Sequence, residues 1–299
     1  MTPPIVRPGN PPESIAQPGG PPSLRSSSGF PGVRTAQLGV GPYAGRVRAR
    51  RVLVIGIGAG DPSLLTIQAV AAIAEVDAFI VVDKGEGARD LAAIRAHVLE
   101  RHATRRPFRE VHIADTRRRP DVPYTEAVAT WHADRVAAFE RSLIDDVADG
   151  ECAGLLVWGD PALYDSTLRI IDQVSALGTL MLDVEVIPGI SSVQLLAARH
   201  RIPLNRIGEP VQITTGRRLA EGLPIGVADV VVLLDANNSF LTVIDQPYEI
   251  FWGAYLGTPD ELLISGPLAD VADEIVRVRD GARQRKGWMF DIYLLRRIA

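Results

Sequence analysis

Cysteine is almost absent. Cys152 stands alone among 299 residues, so no disulfide can form within the chain and no cysteine cluster can hold a metal. A single thiol fits a reducing, cytoplasmic setting. Histidine is scarce too, and the five present (His97, His102, His112, His132 and His200) show no spacing that sets two metal ligands on one helix face. No apolar run reaches the roughly 18 residues of a membrane span. The first residues lack the charged-then-apolar order of a secretion signal. What remains is a chain 46% hydrophobic and 23% charged, long enough for two modest domains with real cores.

The net charge of −4 is unevenly spread. Residues 1–50 hold six arginines against one acid, Glu13, a balance of +5 that leaves −9 for residues 51–299. The same stretch carries ten of the 22 prolines and eight of the 27 glycines. Proline and glycine at that density read as a disordered extension, so folded chemistry is expected only after it. An acidic folded part without interleaved aromatics argues against nucleic acid as a partner.

From residue 51 the pattern alternates. Apolar runs at 52–58, 78–82, 154–157 and 184–187 read as strands, with a short one at 110–113. Helical periodicity runs over 64–74, 91–101, 126–148 and 166–176. Strands alternating with helices predict an α/β domain with a mostly parallel sheet over 51–187. After a helix from about Ser191 to His200, strands dominate: 211–215, 230–234, 249–255, 261–264 and 288–296, with few long helices between them. That texture predicts a second α/β domain over 188–299 with a mixed sheet.

Three loops stand out. Gly56-Ile57-Gly58-Ala59-Gly60-Asp61-Pro62 follows the first strand and has two glycines of a dinucleotide fingerprint, but Asp61 occupies the third position. An acid at a helix start repels a pyrophosphate, so a nucleoside ligand without phosphates fits better than NAD. Trp158-Gly159-Asp160-Pro161-Ala162-Leu163-Tyr164-Asp165-Ser166-Thr167 emerges from another strand. Pro188-Gly189-Ile190-Ser191-Ser192 opens a helix that Ser191 can cap. Each alone is compatible with an ordinary turn; together they mark a crevice at the carboxyl ends of strands.

These three motifs in order, with Leu64-Leu65-Thr66 after the first and Ile202-Pro203-Leu204 after the third, resemble the tetrapyrrole methylase family across essentially residues 51–299. The resemblance implies two α/β domains with S-adenosylmethionine in a cleft between them, and a homodimer. It places Gly58, Ala59, Trp158, Gly159, Asp160, Leu163, Ser191 and Ser192 at the cofactor, and by a looser match Leu234, Ala236 and Gly257. Asp83-Lys84-Gly85 and the tail Gly287–Arg297 resemble the branch that methylates C1 of precorrin-5 in cobalamin biosynthesis and releases acetate. Two positions depart from many relatives: Ala59 replaces a proline and Trp158 a glycine.

A sulfonium methyl is already activated, so the protein's task is alignment and exclusion of water. Loss of the acetyl group needs a base for water or a proton donor, and Asp83 and Tyr164 are the candidates. The many carboxylates of a precorrin call for arginines near the cleft. Arg105-Arg106, Arg117-Arg118-Arg119 and Arg217-Arg218 are candidates, and the last pair, after a strand and Gly216, is the best placed. The alternatives are methylation of another precorrin carbon or a non-tetrapyrrole substrate, a non-catalytic nucleotide-binding protein on the same fold, and a nicotinamide dehydrogenase, which Asp61 disfavours.

Overall fold

The computed structural model describes residues 49–83, 89–104, 107–115, 124–223 and 226–298. The extension up to residue 48 and the arginine runs 105–106 and 117–119 lie outside the described residues.

Five strands form the first sheet: β1 (Ala49–Gly56), β2 (Ala78–Asp83), β3 (Arg109–Ala114), β4 (Cys152–Val157) and β5 (Met181–Ile187), in the order β3-β2-β4-β1-β5. Every pairing in it is parallel. Parallel strands are covered on both faces, and the period-two alternation of β1 shows how. Val52 and Val54 point into a core with Val136, Phe139 and Leu143 of α3 (Tyr124–Asp145) and Ile170, Ile171 and Val174 of α4 (Thr167–Ala176). Leu53 and Ile55 point the other way, onto Ala69, Ala72 and Ile73 of α1 (Ile67–Ile73) and Val98 and Leu99 of α2 (Arg89–His102). β1 and β4 are neighbours, yet the helices that follow them cover opposite faces. A crevice therefore opens between their carboxyl ends, the usual ligand position in an open α/β sheet.

Two boundaries differ from the sequence reading. Arg50, assigned there to the extension, is buried in β1, where its Nε donates to the Leu143 carbonyl at 3.1 Å. The helix expected over 64–74 is divided. Asp61 caps a single 3-10 turn at Pro62–Leu64, accepting from the Ser63 N–H at 2.8 Å; the chain then extends, and Thr66 caps α1 by accepting from the Ala69 N–H at 3.0 Å.

The second sheet comprises β6 (Val211–Thr215), β7 (Asp229–Leu233), β8 (Tyr248–Ala254), β9 (Leu262–Pro267) and β10 (Asp291–Arg297), in the order β6-β7-β10-β8-β9. β6 and β7 are parallel and the remaining pairs antiparallel, so the sheet is mixed. One face carries α5 (Ser192–His200), through Val193, Leu195 and Leu196 against Val231, Phe251, Ile292 and Leu294. The other carries α7 (Leu268–Lys286), a 19-residue helix absent from the sequence reading, which buries Leu268, Ala272, Ile275 and Ala282. A short α6 (Gly216–Ala220) follows β6. Both sheets belong to one compact unit. No helix among the described residues is long and apolar enough to cross a membrane.

Candidate active site

The three loops singled out in the sequence meet. Gly58 and Gly159 form an antiparallel bridge, with the Gly159 N–H donating to the Gly58 carbonyl at 2.8 Å and the Gly58 N–H returning to the Gly159 carbonyl at 3.2 Å. Gly189 closes on both: a Cβ there would lie 2.1 Å from the Gly159 oxygen and 2.8 Å from the Gly56 carbonyl carbon. Only glycine allows so close an approach of three backbones. Asp160 ties the loops together. Its Oδ1 accepts from the Ala162 N–H at 2.8 Å and its Oδ2 from the Gly189 N–H at 2.9 Å. Thr66 adds a weaker link, its hydroxyl donating to the Pro188 carbonyl at 3.4 Å.

Both oxygens of Asp160 accept, so its amide isostere has a defined consequence. Asp160→Asn turns an NH2 towards one of the two N–H donors and leaves that donor unpaired. Urea unfolding should show a loss of about 0.5–1.5 kcal/mol, the net value of one hydrogen bond at a partly exposed site. A midpoint equal to that of the wild type would contradict the double acceptance.

Beside this junction lies a cleft of about 620 Å³ between the two sheets. Ala59, Trp158, Gly159, Asp160, Leu163, Tyr164, Ser191 and Ser192 line one side, and Leu234, Ala236, Tyr255, Arg279 and the segment 287–292 the other. Ser191 is buried, and its side chain is committed to the helix: Oγ accepts from the Val193 N–H at 3.2 Å while Gln194 Oε1 accepts from the Ser191 N–H at 3.1 Å. What these loops offer a ligand is backbone and small side chains.

Among the described residues five non-glycine residues have left-handed backbone, and three of them, Tyr164, Leu234 and Tyr255, line the cleft. Such conformations cost about 1–3 kcal/mol each and concentrate where a site must be shaped. An aromatic strip runs along the wall. Tyr255 meets Trp288 edge-on at 4.9 Å between centroids, Trp288 meets Phe290 at 5.1 Å, and Phe290 faces Trp158 at 6.4 Å. The Trp158 indole is thus the near end of an apolar wall drawn from both halves.

Behind that wall is a buried polar network. Arg279 donates from Nε to Asp291 at 2.8 Å and from Nη2 to the Asp235 carbonyl, while Trp252 Nε1 donates to the same Asp291 oxygen at 3.1 Å. Asp235 accepts from the Ser239 N–H and hydroxyl and from the Tyr293 hydroxyl at 2.7 Å. Burial raises the Asp291 carboxyl above the usual range, against the pull of Arg279, and burial beside Asp235 pushes the Tyr293 phenol far up.

Several expected residues fall elsewhere. Gly58 and Gly257 sit directly behind the lining: Gly58 holds Gly159, and Gly257, at φ +76°, packs against Ala59 and Leu64. Asp83 ends β2 outside the cleft lining, exposed, with Oδ1 3.0 Å from His112 Nδ1; Glu110 lies 3.8 Å from the other ring nitrogen. Arg217 and Arg218 lie on α6, away from the cleft, and Arg218 pairs with Glu221 at 2.6 Å. Tyr164 is half exposed at the cleft, its hydroxyl 3.4 Å from the Ile213 carbonyl. The sequence reading missed Arg279 and Arg283, because α7 was not foreseen. It quoted Trp288 and Phe290 without giving them a role. Among the described residues no group of three or more His, Cys, Asp or Glu side chains is placed to hold a metal.

The sequence matches the model of the tetrapyrrole (corrin/porphyrin) methylases over residues 51–272. It is 45% identical over 249 residues to the precorrin-6A synthase (deacetylating) of Sinorhizobium sp, a match spanning 83% of this chain and 95% of that protein. Among solved structures it resembles a cobalamin synthesis related protein (CobF) from Corynebacterium diphtheriae, with a TM-score of 0.73, 37% identity, and coverage of 84% of this chain and 100% of that one. The uroporphyrin-III C-methyl transferase of Thermus thermophilus, solved with S-adenosyl homocysteine, shares the fold at a TM-score of 0.51 and 19% identity, over 82% of this chain and 91% of that one.

Proposed function

The chain belongs to the tetrapyrrole (corrin/porphyrin) methylase family, and from that premise we propose that it methylates C1 of precorrin-5 and releases the extruded two-carbon unit as acetate, giving precorrin-6A. It is an S-adenosylmethionine-dependent methyltransferase of the cobalamin pathway. The observation that supports this choice of ring carbon is the likeness to the deacetylating enzyme, which takes in nearly the whole of that protein.

The cleft suits S-adenosylmethionine on its own geometry. Its volume is within the range of small-molecule sites. Leu163, Leu233 and Leu234 give it apolar surface, and the backbones of the Gly58–Ala59, Trp158–Asp160 and Ser191–Ser192 loops reach its edge. When bound, the cofactor supplies an activated methyl on a sulfonium sulfur. The residues of the chain then act by position: the loops fix one face of the reaction, while Trp158, Trp288 and Phe290 offer apolar contact to the macrocycle and displace water.

Removal of the acetyl group is hydrolytic. Water adds to the acetyl carbonyl, the bond from that carbon to C1 breaks, and its electron pair stays on the macrocycle, leaving C1 electron-rich for the incoming methyl. Asp83 is the proposed base for that water, acting from the carboxyl end of β2 on a macrocycle that extends beyond the cleft lining, with His112 Nδ1 3.0 Å from its Oδ1, and the Tyr164 phenol is the proposed proton donor at the cleft. General-base action contributes about 100-fold or more, so Asp83→Asn should slow acetate release by about that factor. Acetate release at the wild-type rate would remove Asp83 from the mechanism. A homodimer, as the family forms, is part of the same proposal, and equilibrium sedimentation of the full chain tests it. With precorrin-5 and S-adenosylmethionine carrying a 13C methyl, the label is expected on C1 of the product; a label on any other ring carbon would contradict the reading.

A further inference from the structure

Four acidic side chains line the cleft, and each is already engaged. Asp160 accepts from two backbone N–H groups, and Asp165 accepts from the Thr167 N–H at 2.6 Å. Asp235 and Asp291 belong to the buried network behind the wall. The cations of the lining are Arg279 and Arg283, one helical turn apart on α7 and so on the same face. They differ in kind. Arg279 is 3% exposed and donates to Asp291 and to the Asp235 carbonyl. Arg283 is exposed, and among the described residues nothing accepts a hydrogen bond from its guanidinium or pairs with it.

We infer that Arg283 binds a carboxylate of the macrocyclic substrate, holding the acid side chain of a ring that packs beside the Trp158–Phe290–Trp288 strip. This rests on reading the substrate as a polycarboxylate tetrapyrrole. The chemistry favours arginine there: a planar fork of donors matches a carboxylate with two parallel hydrogen bonds. Arg217 and Arg218 on α6 are not among the residues that line the cleft, and Arg218 pairs with Glu221. A cation in the last turn of α7 also complements the helix dipole. Arg285 and Lys286 serve that purpose in the same turn without lining the cleft, and Lys286 pairs with Asp260. Arg285 is therefore the control.

The test compares Arg283→Gln, Arg283→Lys and Arg285→Gln with the wild-type chain, measuring kcat and KM for precorrin-5 and the affinity for S-adenosylhomocysteine by calorimetry. An interaction equally strong in ground and transition states appears in KM alone. Arg283→Gln should raise the KM for precorrin-5 about tenfold, the order expected for one charge-assisted contact, and leave cofactor affinity and thermal midpoint unchanged. Arg283→Lys should recover part of the loss, and Arg285→Gln should match the wild type. A precorrin-5 KM for Arg283→Gln within about twofold of an active wild type, or an equal rise in Arg285→Gln, would overturn the assignment of Arg283 alone. A wild-type chain that binds S-adenosylhomocysteine but turns over no precorrin-5 would overturn the substrate reading and the assignment with it.

Discussion

Gly189→Ala is expected to destabilise the protein by at least about 3 kcal/mol, the upper end of what overpacking costs in a fixed core. The added Cβ would lie 2.1 Å from the Gly159 carbonyl oxygen and 2.8 Å from the Gly56 carbonyl carbon. Neither neighbour is a side chain that can rotate away. Gly56 ends β1, held between β4 and β5, and Gly159 is bonded to Gly58 in both directions. Relief requires the carboxyl ends of β1 and β4 to part, or the Gly189 N–H to leave Asp160 Oδ2. Either movement displaces Trp158, Gly159, Ser191 and Ser192, so affinity for S-adenosylhomocysteine should fall at least about tenfold alongside stability. Gly150→Ala is a suitable comparison. At φ +85° it also strains the backbone, but its Cβ meets nothing within 4 Å, so its cost should stay near about 1 kcal/mol with cofactor affinity intact. Urea unfolding and calorimetric titration decide both. A Gly189→Ala protein as stable as the wild type would mean the three loops do not converge as described.

Arg279→Met carries the second large effect. Arg279 and Asp291 are both about 4% exposed at the side chain, and the pair joins α7 to β10 beneath the cleft wall. Removing one partner leaves a buried carboxylate without its counter-charge, a change that costs about 3–5 kcal/mol. The sign of the pH dependence follows from Asp291. Its carboxyl is raised by burial and pulled down by Arg279, so without the arginine it rises further. A raised carboxyl contributes stability in its protonated form, present below its unfolded value and lost as pH climbs through the folded one. The deficit of Arg279→Met should therefore be smaller near about pH 4 than near about pH 8. A deficit of the same size at both, or one that grows on acidification, would mean that the loss comes from packing of the arginine stem and not from Asp291.

Those two positions mark where the sequence could and could not be read. The parallel sheet was legible because its strands are short apolar runs, and those of β1 and β4 lead into the glycine-rich stretches Gly58-Ala59-Gly60 and Gly159-Asp160-Pro161. The three loops were legible because each turns on a glycine: Gly58 (φ +74°) and Gly159 (φ +69°) take left-handed backbone, and Gly189 has no room for a Cβ. α7 was not legible. Its buried face reads Leu268, Ala272, Ile275, then Arg279, then Ala282, and a charge within the apolar row hides the period. With α7 hidden, the place of its arginines at the cleft was hidden too. Asp160 lines the cleft, and both of its oxygens hold neighbouring backbone N–H groups, a tie that only the fold reveals. The partner of Asp83 was out of reach for another reason. His112 is 29 positions away and becomes a neighbour only when β3 pairs with β2.

The most direct test of the account is the ratio of acetate released to methyl transferred when the full chain is incubated anaerobically with precorrin-5 and S-adenosylmethionine. One acetate for each methyl is the predicted result, because loss of the acetyl group is what leaves C1 ready for the methyl. Methyl transfer without acetate would contradict it, leaving a methyltransferase of the same family that acts at a different ring carbon.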